Sequence, residues 1–187
     1  MKKIFGAMVL VMLLAGAGSA RGQEQRGRLL AEGSYFSVYA EPGVDVYRLL
    51  TKIDYEYLVQ PRAFGAEKQE NLNDILARTL DGLYQEVSDI LDIHIYSFKG
   101  KIVFVTDQPS LGQLLKEQYN LDFDERSIYY YDQNVIYVSA SDMTPGMLGH
   151  EIAHAIISHY FVVPPPTKLQ EVLAGYVEYT LRKNHRP

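Results

Sequence analysis

Residues 150–154 read His-Glu-Ile-Ala-His, and this stretch constrains the fold more tightly than any other part of the chain. On an α-helix, side chains four positions apart lie only about 40° apart around the axis. His150 and His154 can then offer two imidazoles to one ion from one face. Glu151 sits one step round, near the same edge. From there it can take a proton from metal-activated water and later pass it to a leaving group. Leu148, Ile152 and Ile156 project from roughly the opposite side. The spacing predicts a helix with one face on a core and the other lining a cleft. Thr144 is a good N-cap for it and Pro145 a good first residue.

A hydrolytic zinc site of this kind uses three protein ligands and keeps a fourth position for water. The chain has no cysteine, so the third ligand must be a histidine or a carboxylate. His94 falls in a β-rich run and His185 in the tail. His159 lies on the motif helix, but at the angle of Leu148 and Ile152, and without the glycine turn of the H-E-x-x-H-x-x-G-x-x-H class. It reads as a packing or surface histidine. Glu171 is better placed. Pro164, Pro165 and Pro166 end the motif helix. Thr167 and Gln170 spell a T-x-x-Q capping box, which predicts a returning helix with Glu171 in its first turn. The alternative is that Glu171 only complements the helix dipole. Glu178, two turns further along the same face, reads either as a partner to a ligand or as a solvated acid. Tyr160, Tyr176 and Tyr179 are candidate oxyanion donors or packed aromatics.

Upstream, Tyr35 to Ala40 alternates as a half-buried strand, and Glu41-Pro42-Gly43 turns the chain. Val46, Leu49, Leu50, Ile53 and Tyr57 repeat at helical spacing, with a break at Pro61 to Gly65. A second stripe runs from Leu72 through Ile75, Leu76, Leu80, Leu83 and Val87 to Ile90 and Leu91. Ile93 to Phe98 and Lys101 to Thr106 are expected to form a hairpin about Lys99-Gly100. A short helix is expected over Leu111 to Tyr119. A second hairpin joins Ser127–Tyr131 to Val135–Ala140, turning near Gln133-Asn134. This order predicts an α+β domain with segregated layers.

The chain divides into a signal peptide over 1–20, a flexible N-terminal segment over 21–32 and one domain over 33–187. Lys2 and Lys3 precede an uncharged apolar run from Ile4 to Ala17, and Gly18-Ser19-Ala20 offers small residues for cleavage. The run is short for a membrane span; an uncleaved anchor is the alternative. The protein is therefore expected to be exported, periplasmic or secreted, with no stable membrane span after cleavage. Cleavage would take two lysines and no acid, leaving a net charge of about −7. No basic stripe suggests nucleic acid.

Leu169 to Tyr179, LQEVLAGYVEY, resembles the glutamate helix of gluzincin metallopeptidases, whose pattern is approximately L-x-E-G-x-A-x-Y. Leu169, Glu171, Ala174 and Tyr176 match; Val172 replaces the usual glycine and Lys168 the usual aromatic. YFSVYAEPGVD (Tyr35 to Asp45) and KIVFVTD (Lys101 to Asp107) resemble the opening and central strands of peptidase MA-like, or minigluzincin, domains. The resemblance implies a zincin-like domain with a mixed or antiparallel sheet, an active-site helix and a following glutamate helix. It also implies one zinc on His150, His154 and Glu171, and an edge strand that pairs with extended substrate, here Val135 to Ala140. The expected activity is hydrolysis of a peptide or protein substrate, with Glu151 as general base. The alternative is a non-catalytic or latent exported zinc protein that binds a peptide or an envelope partner.

Overall fold

The computed structural model describes residues 27–53 and 71–184. The signal segment, Tyr57, the break at Pro61 to Gly65 and His185 lie outside the described residues. Among the described residues, five strands form one mixed sheet: β1 (Arg28–Glu32), β2 (Phe36–Ala40), β3 (Gly100–Val105), β4 (Ser127–Tyr130) and β5 (Val135–Ser139), in the order β1-β2-β3-β5-β4. The β2, β3 and β5 strands run parallel; β1 and β4 pair antiparallel at the two edges. The described helices are α1 (Val46–Ile53), α2 (Leu72–Leu91), α3 (Gln108–Tyr119), α4 (Pro145–Tyr160) and α5 (Thr167–Asn184).

Period-two alternation divides the apolar residues of the sheet between two faces. Phe36, Val38, Ile102, Phe104, Ile136 and Val138 join the larger core with residues of α1, α2, α4 and α5. Val103, Val105, Val135 and Tyr137 pack with Leu111, Leu114 and Leu115 of α3. Strands β3 and β5 are thus covered on both faces, which is why they read as nearly unbroken apolar runs. The helix stops are local chemistry. Asn71 caps α2 by accepting from Asn73 N–H, and Asp107 caps α3 by accepting from Ser110 N–H. Asp92 and Asn120 end those helices in the left-handed region, at φ 53° and φ 54°, where such short polar side chains are tolerated.

The structure corrects several expectations. Residues 28–32 of the supposed flexible segment are an ordered strand, paired with β2. The first hairpin does not form: Ile93 to Phe98 is not a strand, and β3 pairs in parallel with β2 and β5. Ile93, Ile95 and Phe98 serve as core plugs from an irregular segment. The second hairpin does form, with a 3-10 turn at Tyr131–Gln133 and Asn134 at φ 50°. Its outer member is β4, so Val135 to Ala140 is not the edge; β5 lies between β3 and β4. Helices alternate with strands along the chain and cover both faces, so the layers are less segregated than expected.

Candidate metal centre

Helix α4 begins where the sequence places it. Thr144 Oγ1 accepts from Met147 N–H at 3.2 Å, and Pro145 is the first residue. Leu148, Ile152 and Ile156 are fully buried in the main core. The opposite side of α4 is covered by α5. Gly146 and Gly149 allow this close approach. A Cβ at Gly149 would collide with the buried Leu181, and one at Gly146 would lie 2.9 Å from Arg182 Cγ and 3.3 Å from the Glu178 carbonyl oxygen.

The return of the chain is built differently from the capping box. Pro166 O accepts from the N–H groups of Leu169 and Gln170. Gln170 does not reach back to Thr167 N–H; its Nε2 donates to Pro165 O at 2.7 Å. Glu171 is the fifth residue of α5, one position beyond the first turn.

Two helices thereby bring together three groups spread over 21 positions of the chain, from His150 to Glu171. His150 Nε2 and His154 Nε2 face each other at 3.1 Å. Glu171 Oε2 is 3.6 Å from His150 Nε2, and Oε1 is 3.3 Å from His154 Nε2. One ligand atom from each lies within 4.8 Å of the others. Tetrahedral zinc with bonds of about 2.0–2.1 Å places its ligand atoms roughly 3.3–3.4 Å apart; the two imidazole nitrogens are near that spacing from each other, and each is near it from a different oxygen of Glu171. Polar satisfaction points the same way. Only one proton can sit between the two facing nitrogens, and Glu171 Oε1 is buried without a hydrogen-bond donor. A buried acceptor in that state is costly, and a cation would relieve it. The donor set suits zinc: two imidazoles and a carboxylate, with no thiolate.

Electrostatics separates the two histidines. Burial, reinforced by the neighbouring His150, holds His154 down to about 3, with Gln170 opposing. His154 is thus a neutral imidazole, the form that binds metal. Burial also works to lower His150, but the carboxylates of Glu178, Glu151 and Glu171 outweigh it and raise its pKa. Glu178 Oε2 stands 3.4 Å from His150 Nδ1, and its other oxygen is 3.5 Å from Arg182 Nη1. The facing His150, more than any other group, lowers the Glu178 pKa.

Glu151 is buried and turned toward β4. Ser127 Oγ donates to its Oε1 and Tyr129 N–H to its Oε2, each at 2.8 Å. Burial raises its pKa, against the lowering effects of His150 and these two donors. Ser127, the Tyr129 amide and Gln170 are site contacts that the sequence reading missed. Nothing local marks an edge-strand serine as the partner of a glutamate 24 residues on. The Glu178–Arg182 pair was legible as an i,i+4 spacing.

The other candidates lie elsewhere. His159 is exposed, its Nδ1 2.9 Å from Ala155 O and its ring edge-on to Phe98. His94 is not in a strand and bonds Asp89 at 2.9 Å. Tyr160, Tyr176 and Tyr179 are all exposed.

Among the described residues, no helix is long and apolar enough to cross a membrane. No family model matches the chain, and no curated protein does. The solution structure of TM1509 from Thermotoga maritima is similar with a TM-score of 0.36 and 13% identity, over 57% of this chain and 85% of that one.

Proposed function

We propose that this chain is a zinc-dependent hydrolase of the gluzincin type, acting on peptide bonds, with α4 as its active-site helix and α5 as its glutamate helix. The observation that carries the reading is the convergence of His150 Nε2, His154 Nε2 and the Glu171 carboxylate, one ligand atom of each lying within 4.8 Å of the others. A zinc ion held there supplies Lewis acidity and an acidified water. The residues supply the rest. Neutral His154 and Glu171 bind. Glu178, braced by Arg182, orients the His150 ring from its Nδ1 side, as carboxylates commonly do for metal-bound histidines. Glu151 Oε1 and Oε2 are the proton acceptor and later donor. Its raised pKa narrows the gap to neutral pH, which suits a group that must take and return a proton. The edge strand β4, rather than β5, is the element on which an extended substrate would add.

The bonds from Ser127 and Tyr129 to Glu151 favour a second reading. They give this carboxylate a structural use, tying β4 to α4, which a non-catalytic or latent zinc protein would also need. Glu151→Gln separates the two. In the catalytic reading it keeps zinc and fold and abolishes cleavage of a mixed peptide library by the wild type. A variant that cleaves as well as wild type, or a zinc-loaded wild type that cleaves nothing, removes the catalytic reading. Export remains part of the proposal, on Lys2, Lys3 and the apolar run that follows them.

A further inference from the structure

Strand β4 is the outer member of the sheet, and its register with β5 fixes which of its backbone groups face outward. Ser139 N–H donates to Arg126 O at 2.8 Å, which makes that opposed pair a hydrogen-bonded one. Bonded and non-bonded pairs alternate along antiparallel strands. Ile128 and Tyr130 therefore turn their backbone groups to β5, and Ser127 and Tyr129 turn theirs to the outer edge. Such an edge is a template for another extended chain.

On this edge the Tyr129 amide is already engaged. It donates to Glu151 Oε2 while Ser127 Oγ donates to Oε1, each at 2.8 Å. Only 6% of Glu151 is exposed, so its carboxylate fills the place beside β4 that the carbonyl of an added strand would take. One well-aligned N–H serves one acceptor at a time. The ionised carboxylate is the stronger acceptor of the two, so a lone amide does not displace it. A segment that spans both Ser127 and Tyr129 offers more, because it pairs the other outward backbone groups of these residues in the same step. Exchange at this edge is therefore selective for length of main chain rather than for a side chain.

We infer that Glu151 is a gate on β4: an extended polypeptide segment pairing with this strand takes the Tyr129 N–H and displaces the Glu151 carboxylate, so that binding of the chain and release of the base are one event. The base role of the released carboxylate rests on the proposed function; the displacement itself requires no metal. The substrate class that opens the gate is a stretch of extended polypeptide. A ligand too short to span Ser127 and Tyr129 leaves Glu151 where it is.

Hydrogen exchange on the zinc-stripped chain, followed by NMR, tests the contact. Tyr129 N–H should be protected in the wild type and exchange about tenfold faster or more in Glu151→Ala, while Tyr130 N–H, which faces β5, is unchanged. Binding is probed on the same metal-free chain with a blocked hexapeptide library of Val, Thr and Ser, and with N-acetylvaline amide as the short control. Ser127→Ala removes one of the two donors that hold the carboxylate and should bind the hexapeptides about tenfold more tightly than wild type. The short amide should leave the Tyr129 resonance unmoved in both. Unchanged Tyr129 protection in Glu151→Ala overturns the inference, as do hexapeptides that bind wild type and Ser127→Ala equally. If Glu151→Ala fails to fold, Ser127→Ala, a small change at a half-buried position, decides alone. A chain that takes up no zinc yet shows both changes supports the gate and overturns only the metal reading. A zinc-binding chain that shows neither change overturns the gate.

Discussion

Glu171 is where the dipole and ligand readings part. At the fifth position of α5, it sits past the turn where a carboxylate best complements the macrodipole. A dipole role predicts that Glu171→Ala costs about 0.3–1 kcal/mol and keeps zinc. The ligand role predicts loss of tight zinc binding, as for His154→Ala, measured by competition with a chelator. Glu178→Gln keeps the shape but weakens the brace on His150, and should lower zinc affinity roughly 10–100-fold with the metal-free fold intact. The histidines also make a signed pH prediction for the metal-free chain. His154 is held at about 3 in the folded state, against about 6.5 when unfolded. The unfolded chain therefore takes up a proton between those values that the folded chain refuses. The stability contributed by burying neutral His154 is present above about pH 6.5 and lost as pH falls toward 3. His150, raised in the folded state, acts with the opposite sign. Denaturation midpoints from pH 7 to 4 should fall more steeply for wild type than for His154→Phe. His150, His154 and Glu171 were legible because helical spacing and the proline break are local signals. Ser127 and the Tyr129 amide were not, because only sheet closure brings β4 to α4.

The contact between α4 and α5 couples stability to the site. Gly149→Ala would force a methyl against Leu181, with an expected cost of about 1–3 kcal/mol and weaker zinc binding as α5 is pushed away. Thermal unfolding and a zinc titration on the same variant test both halves. Thr144→Ala removes the α4 cap and should cost about 1 kcal/mol without altering zinc affinity, which makes it the control for instability alone. The elements also mark how far the sequence carries. The stripe through Leu76, Leu80, Leu83 and Val87 predicted α2 well, because one helix face meets one core. Ile93 to Phe98 misled because β-propensity reports a fit to a half-buried surface rather than strand pairing. Ile93, Ile95 and Phe98 are buried or half-buried without a neighbouring strand, while Tyr96 is exposed. Which hairpin member is the edge depends on β3, whose residues lie 34 positions upstream of their β5 partners, so no local pattern could exclude β5.

At the scale of the whole molecule, the sheet carries β4 and the helical layer carries α4 and α5. The site lies where they meet: Glu151 links α4 to β4 and Glu171 links α5 to α4. Zinc binding should therefore stabilise the entire domain. Free zinc at 100 times its dissociation constant adds about 2.7 kcal/mol, which for a chain of this size raises the melting temperature by roughly 5–11 °C. This rise should vanish in Glu171→Ala. The mixture of helices and strands was readable from alternating periodicities, whereas their layering and the strand order were not, because parallel pairing joins segments far apart in sequence. On the proposed function, three side chains on two helices hold one metal ion. X-ray absorption at the zinc edge, with metal content measured on the same sample, tests it most directly. One zinc per chain is expected, with two imidazoles and a carboxylate at about 2.0–2.2 Å, and loss of that signature in Glu171→Ala. A chain that takes up no zinc, or one whose zinc environment is unchanged by Glu171→Ala, would contradict it.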